Sequence, residues 1–241
     1  MASDTTLPSF KPLYQQVRER LVGRLIDGTW PPGMALPSEQ QLAHELGVSQ
    51  GTVRKALDAM SSEHLLVRAQ GRGTFVADVE DTRILFRYLR LVGDDGRRLV
   101  PESKVTSVRQ HKATEPARTR LELPRGSNVW TIERTRQMDD RVSIVETILV
   151  SAKRFPGLDR FSPLPNHIYS LYGSRYGIII GRVIEQLKAI GASAKDAALL
   201  GCEPGAPLLH IERTALGLDG VPAEWRISRC LTDNFHYLSD L

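Results

Sequence analysis

The stretch from Leu36 to Val76 constrains this chain more than any other part of the sequence. It carries the start and stop signals of a short helix, a tight turn, a second helix and a hairpin. Ser38 is a good N-cap, and Gln41, three residues later, can complete a capping box. Gly47 predicts the end of that helix, since glycine tolerates the left-handed backbone of a helix C-terminus. Ser49 can then cap the next helix.

The second of these helices is predicted to bury one face and leave the other free. The buried face follows from apolar residues at i, i+3, i+4 and i+7, namely Val53, Ala56, Leu57 and Met60. The opposite face carries Gln50, Gly51, Arg54 and Lys55. A preceding helix that supplies the missing apolar layer is predicted from the four-residue spacing of Leu13, Val17, Leu21 and Leu25.

The hairpin is indicated by two short apolar runs, Leu65 to Arg68 and Thr74 to Ala77, on either side of Gln70-Gly71-Arg72-Gly73. The whole segment therefore predicts a winged helix-turn-helix, whose second helix enters the major groove of DNA. The alternative is that the same pattern is only a packing unit. The basic Gly-Arg-Gly tip favours DNA binding.

Residues 12 to 77 resemble the DNA-binding domain of the GntR family of bacterial transcription regulators, through PLYQQV, LPSEQQLA, GVSQGTVRKAL and QGRGTFVA in this order. The resemblance implies operator contacts from two helix N-termini, the second helix and the wing. These are Ser38, Gln40, Ser49, Gln50, Thr52, Arg54, Gln70, Gly71, Arg72 and Thr74.

Two of these positions depart from the family pattern. Positions 40 and 50 are commonly Arg in GntR proteins, and both are Gln here. Arg pairs best with guanine O6 and N7, whereas Gln pairs with adenine N6 and N7. The sequence therefore predicts A·T pairs in the operator where relatives prefer G·C.

Bulk charge says little about DNA binding in this chain. The net charge is +4 over 241 residues, but residues 1 to 78 hold eight basic and eight acidic side chains. DNA affinity must then depend on where individual cations lie, chiefly Arg54, Lys55, Arg68 and Arg72. A neutral DNA-binding domain also predicts modest non-specific binding and a need for a second copy.

The sequence gives little support for a metal site, a cofactor or a membrane segment. Cys202 and Cys230 lie far apart, and neither they nor the six His have the spacing of a metal site. We therefore expect no metal and no cofactor. The sequence lacks a signal peptide and an apolar run of about 20 residues, which predicts a cytoplasmic protein without membrane contact.

The chain is long enough for two domains, and we expect a DNA-binding domain at 1–77, an acidic linker at 78–83 and a second domain at 84–241. The second domain is predicted as an α+β fold around a mainly antiparallel sheet. Its predicted strands cover 84–92, 104–110, 129–138, 142–151, 177–187, 208–218 and 224–231, and its short helices cover 115–123, 167–176 and 193–201.

The second domain contains an internal echo. The segment from Gly126 to Thr135 (GSNVWTIERT) aligns with the segment from Gly205 to Thr214 (GAPLLHIERT), and each follows a helical stretch and precedes an acidic hairpin turn. This pattern predicts two related βαββ halves that pair into one sheet about a pseudo-twofold axis.

The first copy of the echo places two cations on one strand face. Trp130, Ile132, Arg134, Arg136 and Met138 alternate along the strand and share a side. A buried guanidinium is costly without an anion, so the Arg pair could bind a phosphate or carboxylate. The alternatives are pairing with acidic residues of the sheet, such as Glu146, or exposure of this face to solvent.

Residues from about 84 to 237 resemble the effector-sensing (UTRA) domain of the HutC subfamily of GntR regulators, which shares its fold with chorismate lyase. The matching stretches are IERTR, VETILVSAKRFPGL, SLY, LGCEPGAPLLHIERT and GVPAEWRISR. The resemblance implies that Arg134, Arg136, Ser170 and Tyr172 hold the anionic end of an effector. It also implies that Glu146 and Glu224 lie near its other end.

These observations together favour a transcription regulator, and specifically a repressor that binds double-stranded operator DNA as a homodimer. A small anionic metabolite, a sugar phosphate or a carboxylate, would modulate that binding. Two alternatives are an enzyme that acts on the bound ligand and an architectural DNA protein without an effector. The sequence shows no nucleophile–base set for the former, and the size of the second domain disfavours the latter.

Overall fold

A computed structural model describes residues 11–63, 65–77 and 88–239. Contacts divide the chain into two compact units, Met1–Asp78 and Val79–Leu241. The expected linker at 78–83 and the first residues of the first expected strand, 84–87, lie outside the described residues.

The first unit is the predicted winged helix-turn-helix. Three helices precede a two-stranded antiparallel hairpin: α1 (Leu13–Ile26), α2 (Glu39–Leu46), α3 (Gln50–Ser62), β1 (Leu66–Ala69) and β2 (Gly73–Val76). The capping box at the start of α2 is formed in full. The Ser38 Oγ accepts a hydrogen bond from the Gln41 backbone N at 3.2 Å, and the Gln41 Oε1 accepts one from the Ser38 N at 2.8 Å. Gly47 ends α2 with a φ of 65°.

The apolar layer that α1 supplies differs in one residue from the prediction. Val17, Leu21 and Leu25 are buried as expected, but Leu13 is 52% exposed and Val22 is buried instead. Four residues turn a helix by about 400°, so a strict four-residue spacing drifts by about 40° at each step. The first member of the series therefore lies beyond the edge of the buried stripe.

The segment 33–36 lies against β2 of the wing, an arrangement that the sequence did not predict. The Leu36 N donates to the Thr74 O and the Val76 N donates to the Met34 O, both at 2.8 Å. These bonds tie the chain before α2 to the outer side of β2. The wing is thereby fixed to the start of the helix-turn-helix.

The second unit is an α+β domain around a six-stranded antiparallel sheet, in the order β4-β5-β6-β9-β8-β7, with a separate pair of short strands, β3 and β10. Its strands are β3 (Leu91–Gly93), β4 (Glu102–Lys112), β5 (Asn128–Met138), β6 (Arg141–Ser151), β7 (Ile180–Gly191), β8 (Pro207–Gly217), β9 (Pro222–Cys230) and β10 (Phe235–Tyr237). Its helices are α4 (Glu115–Arg120), α5 (Ile168–Tyr176) and α6 (Ala194–Leu200), with a 3-10 turn at Leu158–Arg160.

The predicted duplication is present in the sheet. The halves β4-α4-β5-β6 and β7-α6-β8-β9 meet where β6 pairs with β9, so the strand order reads the same from either edge. Thr147 pairs with Ile227 at the centre, with Glu146 opposite Ser228 on one side and Ile148 opposite Arg226 on the other. The pseudo-twofold axis therefore passes next to Thr147 and Ile227.

The two faces of the sheet are covered differently. The helix α4 packs on Val129 and Leu149, and α6 packs on Val145 and Leu208, all of which lie on one face. The other face carries α5, which packs with Trp130, Ile132 and Ile148 in an extended apolar core. The strand face of Arg134 and Arg136 is this second face. In the described part of the chain, no helix is long and apolar enough to cross a membrane.

Candidate functional site

The candidate DNA-contact residues of the first unit lie at exposed helix starts and at the tip of the wing. Ser38 and Gln40 flank the first residue of α2, and Ser49 caps α3 by accepting a hydrogen bond from the Thr52 N at 3.2 Å. The side chains of Ser38, Gln40, Ser49, Gln50 and Arg54 are exposed, and Thr52 is half-buried. The helix α3 buries its opposite face completely, so its free face is the one that can reach a groove.

The wing tip is a tight glycine turn. Gly71 and Gly73 have φ values of 73° and 111°, which a side chain at either position would strain. Gln70 and Arg72 are exposed at this tip, and Thr74 is half-buried where β2 begins. The turn thus presents the Arg72 cation at the end of the hairpin.

One acidic side chain joins the three elements of this surface. The Glu39 Oε2 accepts hydrogen bonds from the Arg54 Nε at 2.9 Å and from the Gln50 Nε2 at 3.4 Å, and it lies 2.8 Å from the Arg54 Nη2. The Glu39 Oε1 lies 3.5 Å from the Nη1 of Arg68 on β1. The hydrogen bond from Arg54 lowers the pKa of the Glu39 carboxyl below its usual range. The carboxylate is therefore ionised at neutral pH.

The second unit contains a cavity between the sheet and its cover. Its empty space, including its mouth, is about 670 Å³. Strands β5, β6, β8 and β9 form the floor, and the segments 88–91 and 166–169 form the cover. The apolar part of the wall comprises Leu89, Leu91, Ile144, Ile168 and Ile211.

The floor of the cavity carries a buried network of charges around Glu146. The Arg134 Nε donates to the Glu146 Oε2 at 2.5 Å, the Ser228 Oγ donates to the Oε1 at 3.1 Å, and the Arg226 Nη1 lies 3.4 Å from the same oxygen. Burial raises the pKa of the Glu146 carboxyl, but the field of Arg134, Arg226 and Arg136 outweighs it and holds that pKa below its usual range. Glu146 is therefore an anion inside the protein.

Arg136 differs from every other cation of the cavity. It is 3% exposed, and its Nε and Nη2 have no hydrogen-bond partner among the described residues. Burial lowers the pKa of its guanidinium to about 9, and Glu146 offsets this only in part because Arg134, Arg226 and Arg213 repel the charge. A buried guanidinium with unused donors is costly, and an anion of suitable size would offset that cost.

The second half of the duplication supplies a matching cation that is fully paired. Arg213 occupies the position equivalent to Arg134, and its Nε donates to the Glu185 Oε1 at 2.8 Å while its Nη2 donates to the Tyr88 O. The hydroxyl of Tyr237 donates to the other oxygen of Glu185. Arg213 therefore helps to fix the cover and the floor of the cavity together.

Three of the six predicted effector residues line the cavity, namely Arg134, Arg136 and Glu146, and three do not. Ser170 donates to the His167 O at 2.6 Å within α5. Tyr172 is fully buried in the apolar core and donates to the Glu224 Oε2 at 2.9 Å. Glu224 also accepts from Tyr169 and twice from Arg226, each at 2.9 Å, so its lone pairs are occupied.

Comparison with known proteins agrees with these two units. The model of "Bacterial regulatory proteins, gntR family" matches residues 13–76, and the model of the "UTRA domain" matches residues 96–236. The chain belongs to the GntR family. Within it, this protein has the form of a DNA-binding transcription regulator with a C-terminal UTRA domain, and this family consists of regulators rather than enzymes.

Individual relatives cover both units. The chain is 30% identical to the HTH-type transcriptional repressor NagR of Bacillus subtilis over 234 residues, which covers 95% of this chain and 96% of NagR. The structure of PhnF from Mycobacterium smegmatis is 25% identical with a TM-score of 0.56, over 93% of this chain and 98% of PhnF. The ligand-binding domain of a GntR-family regulator from Bordetella bronchiseptica is 33% identical with a TM-score of 0.58, over 64% of this chain and 96% of that domain.

Several cavity residues of this GntR protein were not among the predicted site residues. Arg226, Ser228 and Cys230 continue the two-residue alternation from Glu224 along β9, so the strand period carried a signal for them. Arg213 was indicated by the echo as the match of Arg134. Nothing in the local sequence indicated Tyr169, which lines the cavity from α5 where Tyr172 was expected.

Both cysteines are free thiols in the structure, and burial raises the pKa of Cys230. Among the described residues, no group of three His, Cys, Asp or Glu could hold a metal ion.

Proposed function

We propose that this GntR regulator is a repressor whose operator binding is modulated by a small anionic metabolite, a sugar phosphate or a carboxylate, bound in the cavity of the UTRA domain. Two relatives support this proposal by their descriptions. NagR is a repressor, and the Bordetella domain is a ligand-binding domain. A repressor of this kind acts on chromosomal DNA and therefore in the cytoplasm.

The observation that carries the proposal is that two nitrogens of the Arg136 guanidinium lack a partner among the described residues. Its Nε and Nη2 are buried beside an open cavity, and no described residue accepts from them. Among the described residues, the four Arg side chains on the cavity floor meet three carboxylates, those of Glu146, Glu224 and Glu185. One anionic group on the ligand completes the charge balance of the site and gains charge-assisted hydrogen bonds.

The rest of the cavity suits the body of a small metabolite. Glu146 and Ser228 can bond hydroxyl or amine groups, and Ile144, Ile168 and Ile211 can contact apolar carbon. Arg134 belongs to this site chiefly by holding Glu146. For Ser170, Tyr172 and Glu224, direct contact with the effector stays a prediction. Glu224 accepts hydrogen bonds from both Tyr172 and Tyr169, and of these two tyrosines only Tyr169 lines the cavity.

On the DNA side, we propose a homodimer that places one α3 in each half of a near-palindromic operator. The contacts are those expected from the family, with Gln40 and Gln50 reading A·T pairs. The effector changes operator affinity through a coupling free energy that need only be a few kcal/mol.

The test is to screen anionic metabolites by thermal shift and to compare the wild type with Arg136→Met. The substitution keeps side-chain bulk and removes an unpaired charge, so we expect the fold and operator binding to survive while the ligand-induced shift disappears. Arg109→Met is the matched control, because Arg109 lies exposed on β4 of the same sheet. A ligand that stabilises Arg136→Met as much as the wild type would contradict the proposal.

Arg134→Ala is a weaker test of the same idea. It too should abolish the effector response and leave operator binding nearly intact. However, removal of the Arg134 guanidinium leaves the buried Glu146 without its nearest cation, so a lost effector response could reflect a damaged fold. Gel shifts with operator DNA are therefore run on both variants. Loss of operator binding in Arg134→Ala would contradict its assignment to the effector site. Loss of operator binding in Arg136→Met would place Arg136 outside a pure effector site.

A further inference from the structure

The proposed DNA-contact surface contains one carboxylate, Glu39, on which three cationic or amide side chains converge. We propose that Glu39 is a positioning residue that sets the base preference of Arg54 and Gln50. This inference rests on the proposed contact role of α3 and goes beyond it, since Glu39 itself is not among the expected DNA contacts.

The position of Glu39 is unfavourable for DNA affinity alone. It is the first residue of α2, directly after Ser38, and lies next to side chains that are expected to meet an anionic duplex. A carboxylate at a helix start is stabilised by the helix dipole, which would explain its presence. The dipole does not explain why its side chain is only 18% exposed and directed to α3 and β1, where it meets Arg54, Gln50 and Arg68.

The geometry fixes the direction of the Arg54 guanidinium. Glu39 accepts a hydrogen bond from its Nε at 2.9 Å and lies 2.8 Å from its Nη2, so one edge of the planar group faces the carboxylate. The Nη1 and the second hydrogen of Nη2 remain on the other edges. An Arg held in this way presents a defined set of donors to a base edge or a phosphate, at a smaller entropy cost than a free side chain.

The same carboxylate fixes the orientation of the Gln50 amide. Because a carboxylate only accepts, the end of the amide that faces Glu39 at 3.4 Å must be the Nε2 donor. The Oε1 is then left to accept, and the second hydrogen of Nε2 is left to donate. That combination is the one that pairs with N6 and N7 of adenine. Glu39 thus selects the amide orientation that the predicted A·T preference needs.

Arg68 strengthens the arrangement from the wing side. Its Nη2 donates to the Asp58 Oδ1 at 2.5 Å while its Nη1 lies 3.5 Å from the Glu39 Oε1. The carboxylate is therefore held from α3 and from β1 at once. A shift of Glu39 would disturb Arg54 and Gln50 together, which makes their base preferences depend on one side chain.

The experiment compares the wild type with Glu39→Gln by selection from a random DNA library, followed by affinity measurements on the selected operator and on unrelated DNA. We expect the ratio of specific to non-specific affinity to fall roughly five- to twentyfold, which is part of the discrimination that one well-oriented bidentate contact gives. Affinity for unrelated DNA should stay equal or rise, because a negative charge has left the surface.

The matched control is Glu45→Gln, which removes an exposed carboxylate from the same helix, where it pairs with Arg24 away from α3. Glu45→Gln should retain the wild-type base preference. Thermal melting confirms that both variants are folded. A double variant with Arg54→Met provides a second readout, since the effects of Glu39→Gln and Arg54→Met should then be less than additive.

Two results would overturn the inference. One is an unchanged base preference in Glu39→Gln, and the other is equal tightening on all DNA, which would make Glu39 a simple competitor for Arg54. The proposed contact role of α3 fails separately, if Arg54→Met binds the operator as the wild type does.

Discussion

The two units use the same kind of ion pair in opposite surroundings. In the first unit, Arg54 and Glu39 have 56% and 18% of their side chains exposed, whereas Arg134 and Glu146 in the second have 2% and 4%. An exposed pair adds little to stability and can be exchanged for a phosphate or a base. A buried pair cannot lose one partner cheaply, because the other is then left uncompensated.

This difference gives an unpaired Arg a different meaning in each unit. Arg72 on the exposed wing needs no partner, because water solvates it. The Nε and Nη2 of Arg136 are buried and have no partner among the described residues, so these unused donors mark a place where an anion can bind. Exposure therefore suits the proposed DNA-contact surface to reversible contacts, while burial suits the proposed effector cavity to selection of a ligand by charge.

The duplication sharpens the comparison within the second unit. The position of Glu146 opposite Arg134 corresponds to that of Arg226 opposite Arg213 in the other half. The two halves have thus acquired opposite charges at equivalent positions, and these meet next to the pseudo-twofold axis at 3.4 Å. Because the two halves of the repeat carry opposite charges at this position, several Arg side chains can be buried together on the floor of the cavity.

The largest effect is expected from Glu146→Gln. The substitution leaves the buried Arg134 and Arg226 without their shared carboxylate, so the free energy of unfolding should fall by about 3–5 kcal/mol. The exposed counterpart Glu45→Gln should cost only about 0–1 kcal/mol. Urea unfolding measures both, and hydrogen exchange of the β5 and β6 amides assigns the loss to the second unit. Equal losses in the two variants would remove the contrast between buried and exposed pairs.

The pH dependence of Glu146→Gln has a defined sign. Because the folded pKa of Glu146 lies below its ordinary value of 4.5, its stabilising contribution is complete above that pH and is lost as the pH falls towards the folded pKa. The wild type should therefore lose stability below about pH 4.5 and approach the variant. Unfolding curves from pH 6 to 3 test this expectation, and a gap that widens on acidification would contradict it.

A smaller effect is expected when an exposed cation is removed. Arg54→Ala should weaken operator binding by about 1–3 kcal/mol, the range for one bidentate contact, and should change stability by no more than about 0.5 kcal/mol. Fluorescence anisotropy with the selected operator measures the former and thermal melting the latter. A variant that binds normally but unfolds easily would show that Arg54 has a structural role.

The smallest predicted change concerns base preference rather than the overall affinity for the operator. Gln50→Arg should move the preferred base at the contacted position from A·T towards G·C, by about 1 kcal/mol or more, because Arg suits guanine O6 and N7. Gln40→Arg should do the same at a second position. Binding-site selection with each variant tests these shifts. Recovery of a guanine-containing half-site by the wild type itself would contradict the prediction for both Gln residues.

Local rules predicted most of the secondary structure. Caps at Ser38 and Ser49, the glycine turns and the alternation along β5 each depend on residues close in sequence, and the structure confirms them. Where the prediction was wrong, as for Leu13, a drift in helical phase had moved the residue off the buried stripe. The segment 33–36 beside the wing was missed, because its partner strand lies some 40 residues later.

The sequence by itself determined the winged helix-turn-helix, the duplicated α+β sheet and the presence of two Arg on one strand face, since all of these follow from short-range periodicity and repeated motifs. Only the tertiary structure decided that Arg134 is paired while Arg136 is not, and that Glu39 joins α2, α3 and the wing. The physical reason is that ion pairing depends on distances between strands and helices far apart in the chain, and on burial, which no local pattern specifies.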